Sequence, residues 1–205
     1  MTAPASLATP SDARSVEILD RVRQAFAEKG FDGASMQDLA RAAGMSVGNF
    51  YRYFPSKAAI VEGLIRHDLA EVEASFAAIM GSSDPLAALR ATLAERVSKD
   101  CAADGQIWAE ITAAALRKPE IGAVAQHMED EITRYMITVF ARITGHGLDT
   151  ARARFTAQAR LIVMLVKAAA MHPQHEHEPW ANLTALLLRT IDRTLDEVVA
   201  SALKG

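Results

Sequence analysis

Two short helices joined by a glycine-containing turn are the feature that most restricts the fold of this chain. Ser35 and Asp38 form a Ser-x-x-Asp capping signature at the start of the first helix, and Gly44 ends that helix after two or three turns. Ser46 can cap a second helix that begins at Val47. Two helices joined by a turn of about three or four residues that contains glycine form a helix-turn-helix.

The second of these helices has an unusual composition. Four of the twelve aromatic residues of the protein lie between Phe50 and Phe54. Pro55 ends the helix, because proline cannot continue it and disfavours helical geometry at the residue before it. Phe50 and Phe54 are four residues apart, so we expect both to face the core.

The rest of the chain also has the pattern of helices. Half of its residues are apolar and only 6% are aromatic, which favours packed helices over sheet. Apolar periodicity predicts about nine helices, no strand and no internal repeat. Gly30 ends the first helix, the glycines at 145 and 147 end the seventh, and Asp149 caps the eighth. The longer helices are expected at about 12–29, 57–80, 84–99, 106–117, 119–144, 149–171 and 179–203, with a break at about 101–105. We therefore predict an all-α fold with a flexible arm (1–11), a three-helix helix-turn-helix DNA-binding domain (12–56) and a second helical domain (57–205).

Charge and residue usage exclude several classes of function. The net charge is −3, and residues 1–57 carry seven Lys/Arg against six Asp/Glu, so binding to nucleic acid must depend on a local group of residues. Cys101 is the only cysteine, and the N-terminus lacks the features of a signal peptide. The longest apolar run, 161–171, contains Lys167 and is too short to span a membrane. No nucleophile motif or phosphate loop is present. We expect a cytoplasmic protein that is not an enzyme and has no cofactor.

The segment from residue 35 to residue 57 reads SMQDLARAAGMSVGNFYRYFPSK. Its capped short helix, Ala-Gly turn, Ser46, Tyr-x-Tyr-Phe element and closing Lys57 resemble the TetR family of bacterial transcriptional regulators. The resemblance covers about a quarter of the chain. The remainder agrees with the family in length and helical character only.

Chemistry assigns roles to the residues of this segment. Val47 offers methyl groups to a thymine, Gly48 allows close backbone approach, and Asn49 has the donor and acceptor that adenine requires. Tyr51, Tyr53 and Lys57 are suited to phosphate oxygens, and Arg52 suits either a base or a phosphate. The resemblance implies that residues of the preceding helix also approach the DNA. The predicted DNA-binding residues are Ser35, Gln37, Ser46, Val47, Gly48, Asn49, Tyr51, Arg52, Tyr53 and Lys57.

The resemblance also implies a homodimer and a small-molecule effector, so that residues 57–205 would form a ligand-binding and dimerisation domain. The last two helices would pair with their symmetry mates in a four-helix bundle, and both carry more apolar surface than one side of a monomer would cover. The middle helices would hold a cavity, coupled to the DNA-binding domain through the helix that starts at Lys57. Residues with suitable chemistry for an apolar or aromatic effector are Trp108, Ile111, His127, Met128, Tyr135, Met136 and Phe140. These features predict a repressor that an effector releases from a pseudo-palindromic operator.

Two other hypotheses remain open from the sequence. His172, His175 and His177 lie in one loop and have the ligand types of a metal site, but no second cluster completes such a site, so we predict none. A metal-responsive regulator is nevertheless an alternative. A helical-bundle carrier of small molecules is another, although it leaves the capped Ser46–Lys57 segment unexplained.

Overall fold

The computed structural model describes residues 10–98, 102–172 and 178–202, and every regular element in these ranges is an α-helix. The all-α fold class is therefore confirmed. The helices are α1 (Pro10–Gly33), α2 (Met36–Ala42), α3 (Val47–Tyr53), α4 (Lys57–Gly81), α5 (Pro85–Ser98), α6 (Ala102–Ala115), α7 (Pro119–Thr144), α8 (Leu148–Met171) and α9 (Glu178–Ala202). The first nine residues, Cys101 and the loop histidines His175 and His177 lie outside the described ranges.

Local signals account for most of the helix boundaries. Gly30 has a φ of 72° and kinks α1, after which the chain adds one further turn to Gly33. Gly44 has a φ of 68° in the turn between α2 and α3, a left-handed conformation that glycine adopts without strain. The carboxylate of Asp84 accepts a hydrogen bond from the amide of Ala87 at 3.0 Å and caps α5. These helix boundaries are thus set by the backbone conformation of glycine and by hydrogen bonds between residues that are close in the sequence.

Two predicted boundaries are wrong. Gly147, rather than Asp149, is the N-cap of α8, because the amide of Ala151 donates to the carbonyl of Gly147. Asp149 therefore lies inside the first turn of α8, where its negative charge still interacts favourably with the positive end of the helix dipole. Helix α6 begins at Ala102 rather than near residue 106, so Gly105 lies within the helix.

The first of two buried clusters builds the N-terminal part of the molecule, which we call the head: α1, α2, α3 and α4 as far as Ile65. Phe26 and Phe31 stack with their ring centres 5.7 Å apart across the Gly30 kink. The cluster does not stop at the predicted domain boundary between residues 56 and 57. Side chains of α6 and α7 complete it, namely Ile107, Ile111, Ala114 and Ile121. The head is thus packed onto the remainder of the molecule.

The second buried cluster forms the core of the remainder, which we call the body: α4 beyond Ile65 and helices α5 to α9. Phe140 of α7 and Phe155 of α8 meet edge to face, with ring centres 6.1 Å apart. The two clusters share α4, which is about 37 Å long at 1.5 Å per residue. One continuous helix therefore connects the cores of the head and the body.

The outer faces of α8 and α9 remain apolar at the surface of the single chain. Leu161 and Met164 of α8 are 41% and 65% exposed, and Leu186 of α9 is 51% exposed. Isolated exposed leucines are normal, but α8 and α9 are in contact and each exposes large apolar side chains, so we treat Leu161, Met164 and Leu186 as a candidate patch. Within the described ranges, no helix has the length and apolar character that would cross a membrane.

Candidate nucleic-acid interface

The start of α2 is held by a reciprocal pair of hydrogen bonds. The Ser35 hydroxyl accepts from the amide of Asp38 at 3.1 Å, and the Asp38 carboxylate accepts from the amide of Ser35 at 3.0 Å. Lys29 of α1 donates to the same carboxylate at 2.7 Å. The bonds from Lys29 and Ser35 hold the pKa of Asp38 far below its ordinary value. The predicted capping box is therefore confirmed, and Lys29 ties it to α1.

Helix α3 is anchored by its inner face. The Ser46 hydroxyl accepts from the amide of Asn49 at 3.3 Å, which confirms the predicted N-cap. Phe50 is completely buried and Phe54 nearly so, with their ring centres 5.7 Å apart. The expectation that these two rings face the core is confirmed. Because the rings lock α3 onto the head, its opposite face is presented in a defined orientation.

The outer face of α3 carries the residues that were expected to contact bases and phosphates. Val47, Gly48, Asn49, Tyr51, Arg52 and Tyr53 are all exposed. A Cβ atom added at Gly48 would meet nothing within 4 Å, so the surface around this glycine is open. Ser35 and Gln37 at the start of α2 and Ser46 at the start of α3 are also exposed. The ten predicted DNA-binding residues thus belong to the starts of α2 and α4 and to α3, and their contacts with DNA remain a prediction.

Lys57 has a structural contact that its position in the sequence does not predict. Its ammonium group donates to the carbonyl of Phe31 at 2.7 Å and to that of Asp32 at 3.2 Å. It also lies 5.3 Å from the centre of the Phe31 ring. An ammonium has three donors, so one remains for a phosphate oxygen. Lys57 therefore joins the start of α4 to the end of α1, whatever its role on DNA.

The last turn of α1 also connects the head to the body. The carboxylate of Glu110 on α6 accepts from the amide of Phe31 at 2.8 Å. Arg117 and Lys118, which follow α6, bind the Asp32 carboxylate at 2.9 Å and 2.6 Å. The hydrogen bonds from Lys118 and Arg117 hold the pKa of Asp32 below its ordinary value, and the bond from Lys118 has the larger effect. Sequence analysis missed this contact because its partners are about 80 residues apart.

The body contains a partly open cavity of about 190 Å³ between α4, α5, α6, α7 and α8. Most of its wall is apolar, including Phe76, Ile111 and Met128. Four of the seven predicted ligand-binding residues line it: Trp108, Ile111, Met128 and Met136. The role of these residues in binding an effector remains a prediction.

The other three predicted ligand-binding residues lie outside this cavity. His127 is exposed on α7. Tyr135 stacks on Phe76 with ring centres 5.4 Å apart, and its ring faces the guanidinium of Arg134. Phe140 is completely buried in the second cluster. Helical spacing placed Tyr135 and Phe140 on the same face of α7 as Met128 and Met136, but that face is wide enough to serve both the cavity and the core.

Three polar side chains of the cavity wall carry charge and were not predicted. Arg96 comes from α5, and Glu129 of α7 pairs with Lys167 of α8 at 2.6 Å. They belong to three helices, so no local pattern in the sequence could have joined them. In the described part of the chain, no group of three or more His, Cys, Asp or Glu side chains could hold a metal ion. His172 lies in that part, whereas the other two histidines of the predicted alternative do not.

The known proteins that resemble this chain are transcriptional regulators. The family model described as "Bacterial regulatory proteins, tetR family" matches residues 18–64. UidR, an HTH-type transcriptional regulator of Escherichia coli K12, is 26% identical over 136 residues, which cover 64% of this chain and 66% of UidR. KstR2, an HTH-type transcriptional repressor of Rhodococcus jostii, is 32% identical over 79 residues, 38% of this chain and 39% of KstR2.

The fold is also found in a solved structure. GusR of Salmonella enterica superposes with a TM-score of 0.74 at 23% identity, covering 96% of this chain and all of that one. The predicted resemblance to the TetR family is confirmed by these matches, and the family model matches the helix-turn-helix segment at residues 18–64. The relatives named above are transcriptional regulators rather than enzymes, as expected from the absence of a catalytic motif.

Proposed function

We propose that this chain is a homodimeric transcriptional repressor that acts in the cytoplasm and leaves its operator when a small molecule occupies the cavity. The observation that carries the proposal is α3, whose aromatic inner face is buried while its polar outer face is exposed. A helix that is fixed by Phe50 and Phe54 and presents Asn49 outward has the geometry of a recognition helix. KstR2 is named as a repressor, and occlusion of a promoter needs no further machinery.

The proposed homodimer rests on the patch formed by α8 and α9. Met164 and Leu186 are both more than half exposed in the single chain, and burying such side chains stabilises association. A two-fold axis through the patch would pair the helices as a four-helix bundle. It would also present two copies of α3 about 34 Å apart, one turn of DNA.

The dimer can be tested by mass in solution. Met164→Glu places a charge in the patch, so we expect light scattering to show a shift toward monomer. Leu116→Glu is the matched control, because Leu116 is 86% exposed but lies beyond the end of α6. A wild-type monomer at micromolar concentration would contradict the dimer.

The proposed release mechanism rests on α6. One side of this helix, with Trp108 and Ile111, lines the cavity, while Glu110 binds the backbone of the head. A ligand that displaces α6 would therefore move the end of α1. Binding energy that differs between two orientations of the head would shift their populations.

The function is tested by selecting bound DNA from a random pool with the full-length chain. We expect enrichment of an inverted repeat whose half-site centres are about 10 base pairs apart. Arg142→Ala, an exposed position on α7, is the control that should select the same sequence. A pool without enriched sequences would favour the alternative function, a small-molecule carrier.

A further inference from the structure

The charges on the cavity wall do not balance. Lys167 and Glu129 neutralise each other through their 2.6 Å ion pair. Arg96 lines the same cavity and has no hydrogen-bond or ion-pair partner within the described part of the chain. Among the residues that the structure describes, the wall therefore has one uncompensated positive charge, contributed by Arg96 of α5.

The hydroxyl groups of the wall are already engaged as donors. Ser75 donates to the carbonyl of Glu71 at 2.9 Å, and Thr92 donates to that of Ala88 at 3.0 Å. The hydroxyl of Thr112 is directed to the sulfur of Met171 at 3.6 Å. A hydroxyl has one donor hydrogen, whereas a guanidinium has five. Arg96 thus has the largest free donor capacity on this wall, beside two further ammonium hydrogens of Lys167 and the indole N–H of Trp108, which suits a ligand with a hydrogen-bond acceptor.

The remainder of the wall suits a small apolar body. A cavity of about 190 Å³ is comparable to an engineered apolar cavity of about 150 Å³ that binds benzene. Phe76, Trp108 and Ile132 offer aromatic and branched surfaces, and none of them carries a charge. One aromatic ring or a short branched chain fits this volume.

We propose that the cavity binds a small amphipathic monocarboxylate, with its apolar body between α6 and α7 and its carboxylate on Arg96. A guanidinium offers two parallel donors that match a carboxylate. A phosphate monoester carries about −1.5 to −2 charges, more than the single positive charge of the wall can neutralise. The inference rests on the proposed function in one respect, since it names the class of effector for the same cavity.

Binding is measured on the full-length protein with three probes of similar shape: phenylacetate, phenylacetamide and 2-phenylethylamine. Trp180→Phe leaves Trp108 as the single tryptophan, so its fluorescence reports on the cavity wall, and calorimetry gives the affinity. We expect phenylacetate to bind about tenfold or more tightly than phenylacetamide, because hydrogen bonds to charged groups are stronger than neutral ones. We expect the amine to bind most weakly.

Variants of Arg96 decide whether this side chain is responsible. Arg96→Gln should remove the preference for phenylacetate and leave the affinity for phenylacetamide unchanged, while Arg96→Lys should retain part of the preference. Arg142→Gln, outside the cavity wall, is the matched control and should bind all three probes like the wild type. Arg96 is exposed, so circular dichroism should show that its variants remain folded.

The inference is overturned by equal binding of acid and amide, by a preference that survives Arg96→Gln, by tighter binding of phenyl phosphate, or by no binding of any probe. Release of the selected DNA is measured separately with phenylacetate. Tight binding that depends on Arg96 but releases no DNA would support the ligand class and contradict the proposed ligand response. The two proposals can therefore fail independently.

Discussion

The head and the body are both helical and both well packed, yet they hold their shapes by different means. In the head, short helices start and stop at hydrogen bonds between residues three apart, as at Ser35 with Asp38 and Ser46 with Asn49. In the body, long helices are placed by contacts between distant parts of the chain, such as Lys167 with Glu129. Helix α3 is therefore positioned by its own cap and buried rings, whereas the cavity lies where helices from distant parts of the chain meet.

The largest effect is expected from the core of the head. Phe50→Ala removes a completely buried ring and should lower the free energy of unfolding by about 3–5 kcal/mol. Urea denaturation followed by circular dichroism measures it. Tyr51→Ala, on the exposed face of the same helix, should change stability by less than about 0.5 kcal/mol. Equal losses in both variants would contradict the assignment of the two faces of α3.

A smaller effect is expected where α6 crosses α8 in the body. A Cβ atom at Gly105 would lie 2.2 Å from the carbonyl oxygen of Ala170, so Gly105→Ala must push the two backbones apart. We expect a loss of about 1–3 kcal/mol in thermal or urea unfolding.

Gly81→Ala is the control for this crossing, because its added Cβ would meet nothing within 4 Å. It should be neutral or slightly stabilising. A Gly105→Ala variant as stable as the wild type would show that α6 does not approach α8 this closely.

The cap of α2 gives the next effect. Ser35→Ala removes the acceptor for the amide of Asp38 and should cost about 1 kcal/mol. Ser83→Ala, exposed in the loop before α5, should change the unfolding midpoint much less. If both changes are equal, the capping box does not stabilise the head.

The smallest effect is expected on the stability of the folded protein at low pH. The pKa of Asp38 is lowered in the folded protein, so its stabilising contribution is fully present above its ordinary value of 3.8 and is lost as the pH falls below it. Stability of the wild type should therefore decline more steeply below about pH 4 than that of Asp38→Asn. Parallel acid unfolding curves would contradict the bonds from Lys29 and Ser35.

The local contacts of the head and the distant contacts of the body also explain which features could be predicted from the sequence. Ser35, Gly44 and Ser46 act on neighbours in the chain, so capping signals and the family resemblance located α2 and α3 and the face of α3 that is buried. Gly105 lies inside α6 although a break was expected there, because the Ala170 backbone that requires a glycine is 65 residues away in the sequence. Arg96 and the contacts of Lys57 and Glu110 with the end of α1 also depend on tertiary packing. Local patterns carry no information on such pairs.

DNA selection with Asn49→Ala tests most directly whether the exposed face of α3 contacts base pairs. Loss of one bidentate contact to a base should cost about 1–3 kcal/mol at one position. We predict that the variant retains the inverted repeat and its spacing but loses preference at a single symmetric position in each half-site, with its circular dichroism unchanged. An Asn49→Ala variant that selects the wild-type sequence at every position would contradict the claim that Asn49 contacts a base.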